Sequence, residues 1–93
     1  MEGQKNKVIM TEIEYDILDE LYFFISFEKL LESVSLEEKE LFVNLKNMIE
    51  RNWIRVFTDV SGEQPFNELD LENNYMHYYY LATKEGLQAH NAL

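Results

Sequence analysis

His77 and His90 are the side chains of this chain best suited to proton transfer or metal ligation, and their placement supports neither. One falls in a strand pattern and the other in a terminal helix pattern, so no ligand constellation forms. His77 reads as a strand histidine packed among tyrosines. His90 reads as a solvated residue near the C-terminus. The chain has no cysteine, which excludes disulfides, thiolate chemistry and cysteine-ligated zinc. Asp59, Glu63, Glu68, Asp70 and Glu72 gather oxygen ligands of the kind calcium takes. They lack the EF-hand spacing, with its central glycine and distal bidentate glutamate, and read as a solvated acidic loop. Gly3, Gly62 and Gly86 are isolated, so there is no glycine-rich phosphate loop. Nothing in the spacing sets a serine or threonine beside a base. The expectation is a non-enzyme with no cofactor and no metal.

Recognition chemistry is the remaining option, and charge constrains it. The chain carries 8 Lys+Arg against 18 Asp+Glu, a formal net charge of -10. Such an excess steers a protein away from polyanions and argues against a broad footprint on nucleic acid or anionic lipid. A DNA-binding role would have to rest on Lys39, Lys46, Arg51 and Arg55, aided by Lys5 and Lys7 from the N-terminal arm. The aromatic side chains Trp53, Phe57, Tyr75, Tyr78, Tyr79 and Tyr80 could stack on bases. Stacking platforms sit in electropositive grooves, and only Arg55 and Lys84 lie nearby. A two-stranded sheet with one buried face accounts for the rings better. It has one core to face, so some rings are left for a protein partner.

The elements that must position these groups are legible in order. Residues 1–7 read as a disordered lead-in. Thr11 and Glu14 make a capping box, and Met10 with Tyr15 can staple it. Ile13, Ile17, Leu18, Leu21, Phe24 and Ile25 then recur with helical period over about residues 12–24. Ser26 can cap a short helix over 27–33. Ser35 with Glu38 repeats the box and opens a third helix, whose stripe is Leu41, Phe42, Leu45, Met48 and Ile49. Asn52 sits where a helix ends in a left-handed residue. Two strands follow, at about residues 53–58 and 75–81, joined by the acidic loop 59–74 in which no helix pattern appears. Antiparallel pairing is the simple solution. Thr83 can cap a last short helix broken early by Gly86.

Ninety-three residues make one small domain of α+β class. No apolar run approaches the roughly 20 residues needed to cross a bilayer, and the polar N-terminus lacks a signal-peptide core. A soluble cytoplasmic protein is expected.

Two stretches carry a family resemblance. One is Val34-Ser35-Leu36 through Leu45 and Ile49 to Arg51-Asn52-Trp53-Ile54-Arg55; the other is Tyr80-Leu81-Ala82-Thr83-Lys84-Glu85-Gly86-Leu87. The first resembles a recognition helix ending in leucine–x–x–x–glycine–hydrophobic–arginine. The second resembles the leucine–threonine–x–x–glycine that follows a β-wing. Together with helix one the chain is similar, over about residues 10–92, to the winged-helix domain of MarR-like and PadR-like bacterial regulators. The resemblance implies a three-helix core, a two-stranded β-wing and DNA contact by helix three and the wing. The residues depart from that pattern. Glu37, Glu38, Glu40 and Glu50 outnumber Lys39, Lys46 and Arg51 on helix three, and the wing has no Lys or Arg. One short C-terminal helix stands where such regulators carry long dimerisation helices. The expected function is therefore a non-catalytic winged-helix module that binds a protein or a second copy through its wing strands. Phe66, Leu69, Leu71, Tyr78 and Tyr80 are the docking candidates, and a DNA-binding regulator is the alternative.

Overall fold

The computed structural model describes residues 9–59, 62–63 and 70–92. The lead-in expected at residues 1–7 and the loop residues Phe66 and Leu69 lie outside the described residues. The chain is an α+β domain in which α1 (Glu12–Glu20), α2 (Phe27–Ser33) and α3 (Glu38–Glu50) pack against the inner face of a small sheet.

Three of the helices begin where a short polar side chain meets a free backbone N–H. At α1, Thr11 Oγ1 accepts from the Glu14 N–H and Glu14 Oε1 accepts from the Thr11 N–H, both at 3.0 Å. At α2, Ser26 Oγ accepts from the Lys29 N–H at 3.2 Å. At α5 (Lys84–Asn91), Thr83 Oγ1 accepts from the Gly86 N–H at 2.8 Å. The box expected at Ser35 does not form. Its place is taken by an extended link that drops Leu36 against the core, and α3 starts at Glu38 without a side-chain cap. Packing half of an apolar side chain there competes with a local hydrogen bond, which contributes about 1 kcal/mol.

The first helix also stops sooner than its apolar period, at Glu20. Leu21 is buried and its carbonyl accepts from the Ala82 N–H at 2.9 Å, which ties the chain to the sheet. Tyr22, Phe23 and Phe24 turn outward, and Ile25–Ser26 becomes a two-residue strand, β1. Asn52 takes the left-handed conformation expected of it, with φ 64°. The adjacent Trp53 N–H returns to the Met48 carbonyl at 2.9 Å, and the chain leaves α3 directly into β2 (Ile54–Asp59).

β2 pairs with β3 (Gly62–Glu63) on one side and with β4 (Tyr79–Ala82) on the other, and β1 closes the far edge; all three pairings are antiparallel. The register sets Ile54 opposite Ala82 and Val56 opposite Tyr80, and these four are the buried face. The second strand is shorter than expected. Residues 71–77 are helical, as α4 (Leu71–Asn74) continuing into a 3-10 turn, Tyr75–His77. Strand propensity loses there to packing. The Tyr75 ring stacks on Phe42 at 4.3 Å and meets Phe27 edge-on at 5.1 Å, which a strand running past the core could not arrange. Gly86, expected to break the last helix, sits in its first turn, and α5 runs on to Asn91.

Candidate interaction surfaces

DNA contact would depend on the cations. Lys46 Nζ lies 3.3 Å from Glu72 Oε2. Arg51 Nη1 lies 3.2 Å from Glu14 Oε2, and its guanidinium covers the Trp53 ring at 4.9 Å. Arg55 is on the outer face of the sheet, 5.4 Å over the Phe57 ring. Lys39 is exposed on α3. Two of the four candidate cations thus have a carboxylate partner within the domain. Glu14 had no special place in the sequence beyond its cap. Its burial, at 3% exposure, and its pairing across 37 residues with Arg51 are properties of the fold.

The aromatic candidates change sides. Tyr80 is fully buried, Tyr78 is 8% exposed and Leu71 is 7% exposed, so all three are core residues and not docking residues. Burial pushes the Tyr80 phenol well above its ordinary range, with Tyr78 and Tyr75 adding to the effect. Its hydroxyl donates to the Tyr75 carbonyl at 2.8 Å. The Tyr75 hydroxyl donates to Glu38 Oε2 at 2.6 Å, and this carboxylate, with a smaller contribution from burial, raises its pKa. The rings that do face outward belong to the other parity. Tyr79 pairs opposite Phe57, and Phe24 stacks on Tyr79 at 5.0 Å while meeting Phe57 edge-on at 5.2 Å. Phe23, 78% exposed, stands beside them in the chain.

The histidines are also reversed. His77 is exposed in the 3-10 turn and not on a strand. His90 is buried, at 6% exposure, between α1 and α5. Tyr15 stacks on its ring at 4.0 Å, and Nδ1 lies 2.8 Å from the Tyr22 hydroxyl, which also donates to Asn91 Oδ1 at 3.1 Å. Nε2 faces Asp19 Oδ1 at 3.7 Å, too long for a hydrogen bond in any tautomer. Tyr15 thus packs on His90 as well as following the α1 cap. Nothing in local sequence pairs residues this far apart.

Among the described residues no group of three or more His, Asp or Glu side chains is placed to hold a metal ion, and no helix is long and apolar enough to cross a membrane. Comparison of the chain with known protein families, with curated proteins and with solved structures finds no match.

Proposed function

We propose that the chain is a winged-helix protein-interaction module that does not read DNA through α3. The order helix, short strand, helix, helix, strand, short strand, helical turn, strand, helix, with β4 paired between β1 and β2, supports the winged-helix assignment. The observation that carries the functional part is the pairing of Lys46 with Glu72 and of Arg51 with Glu14. Each cation already has a carboxylate beside it, which lowers the positive field that a phosphate would meet there. The first turn of α3, with Glu38 and Glu40, would meet phosphates as a like charge.

The outer face of the sheet supplies the docking surface. Phe24, Phe57 and Tyr79, with Phe23 alongside, form an aromatic strip next to the edge strand β1. Between Ile54–Phe57 and Tyr79–Ala82 the outward positions are Arg55, Phe57, Tyr79 and Leu81, none of them acidic. In a chain of net charge -10, two copies meet with least repulsion through that strip. The strip takes a protein partner, with a second copy in an isologous contact as the case tested first.

Two measurements test the reading. At about 50 mM salt the protein should pass through heparin unretained; retention that falls steeply with salt would install the DNA-binding alternative. Light scattering across a wide concentration range should show a dimer that Phe23→Ser abolishes. A monomer throughout would sink the surface assignment.

A further inference from the structure

Away from the sheet, α1 and the link between α2 and α3 enclose a groove of about 330 Å³. Its apolar lining is Ile13, Val34 and Leu36, each half-buried and packed on the core. Its charged lining is Asp16, Asp19 and Glu20, with no lysine or arginine. This volume falls at the low end for ligand sites, enough for one long side chain and the backbone beside it.

The arrangement is costly without an occupant. Asp16, Asp19 and Glu20 stand three and four residues apart on one side of a helix, a spacing at which like charges repel. They also lie in its second half, where the exposed carbonyls carry partial negative charge, and the last turn has no basic residue to offset it. Among the described residues the one ion-pair contact of these carboxylates is with His90 Nε2, which is buried without a hydrogen-bond partner and stops 3.7 Å short of Asp19. The carboxylates do not converge as metal ligands do. They are spread along an apolar wall, which suits a cation carried on an aliphatic stem.

We propose that this groove binds a peptide segment of a partner protein bearing a lysine or arginine next to an aliphatic residue. The aliphatic part lies on Ile13, Val34 and Leu36, and the cationic head sits among Asp16, Asp19 and Glu20. The site uses none of the residues of the sheet face, so it stands or falls apart from self-association.

The test uses the full chain and a short fluorescent peptide of alternating lysine and leucine, read by polarisation at physiological salt. Binding should be saturable, should shift the amide signals of Ile13, Val34 and Leu36, and should be unchanged by Phe23→Ser. Asp16→Asn with Asp19→Asn should weaken it at least about tenfold, the loss that one charge-assisted contact represents. Glu28→Gln with Glu50→Gln removes the same net charge elsewhere and should leave it intact. A lysine–glycine peptide should bind at least about tenfold more weakly, lacking the aliphatic contact. Equal weakening by both double variants, equal binding of the two peptides, or no binding would each overturn the proposal. So would a gain in affinity on Lys5→Gln with Lys7→Gln, which would assign the groove to the chain's own N-terminal segment. Removal of mutual repulsion should leave the Asp16→Asn, Asp19→Asn variant melting no lower than the parent; a lower Tm would refute the electrostatic premise.

Discussion

Glu14 makes two connections through one carboxylate: it accepts from the Thr11 N–H at the start of α1, and it holds Arg51 at the end of α3. Truncation at this position removes both. The Thr11 side-chain cap survives truncation, because it uses the Glu14 backbone N–H; the returned bond to the Thr11 N–H is worth about 1 kcal/mol, and a charged hydrogen bond adds about 1.5–3 kcal/mol when buried. Arg51 is 47% exposed, so water screens the pair and the lower part of that range applies. Glu14→Ala should lower stability by about 2 kcal/mol in urea denaturation, and a loss below the returned bond's own share would mean that Arg51 contributes nothing. Tyr80 gives the clearest pH signature. Its phenol is raised by burial, so the native side chain stays protonated at a pH where the unfolded one ionises. Stability from this group is complete below about pH 10, the unfolded value, and is lost as the pH climbs above it. Tyr80→Phe should cost about 1 kcal/mol near neutrality through the lost bond to the Tyr75 carbonyl. Its alkaline decline should be shallower than that of the parent in thermal melts taken on both sides of about pH 10. An unchanged alkaline slope would mean that other groups dominate the decline.

At the scale of elements, α5 is attached by a turn in which glycine is required for space and not for flexibility. A Cβ on Gly86 would run into the Trp53 carbonyl oxygen, and the Thr83 N–H bonds to that same carbonyl at 2.9 Å. Gly→Ala inside a helix ordinarily gains about 1 kcal/mol. Here the sign should invert: Gly86→Ala forces α5 off the sheet and should cost more than about 1 kcal/mol, with a Tm at or above the parent's refuting the contact. Thr83 works from the other side, capping α5 while its hydroxyl donates to the Asn52 carbonyl at 2.7 Å. The sequence shows which parts of this attachment are readable. The Thr11, Ser26 and Thr83 caps and the left-handed Asn52 were all legible, because each rests on residues within a few positions of one another. The uncapped start of α3 was not, since Ser35 offered a good local pattern and Leu36 was claimed by a distant core. The outward face of the sheet was hidden for a sharper reason. With tyrosines on both parities from Tyr78 to Tyr80, alternation carries no hydropathic contrast, and only the register against β2 decides that Tyr79 faces out. His90 illustrates the same limit, because its partners Tyr15, Tyr22 and Asp19 are all on or just after α1.

For the molecule as a whole, two electrostatic effects compete and salt separates them. The ion pairs Glu14–Arg51 and Lys46–Glu72 favour the fold and weaken when screened. The net charge of -10 opposes the fold, because compaction brings like charges together, and this also weakens when screened. Range decides between them. The domain measures 42 × 28 × 21 Å, and the Debye length is about 30 Å at 0.01 M salt against about 8 Å at 0.15 M. At the lower concentration every carboxylate repels most of the others across the molecule; at the higher one only neighbours interact. The contacts at 3.2 and 3.3 Å lie well inside either screening length and lose less than the long-range repulsion does, and the one at 3.2 Å has a buried carboxylate. Long-range repulsion is therefore what salt removes, and Tm should rise between 0.01 and about 0.15 M sodium chloride. The rise should be smaller in Asp16→Asn with Asp19→Asn, which already lacks part of the repulsion along α1. A Tm that falls with salt in the parent would show that the ion pairs outweigh the repulsion, and the excess of carboxylates on this domain would then carry no cost that a cationic partner could relieve.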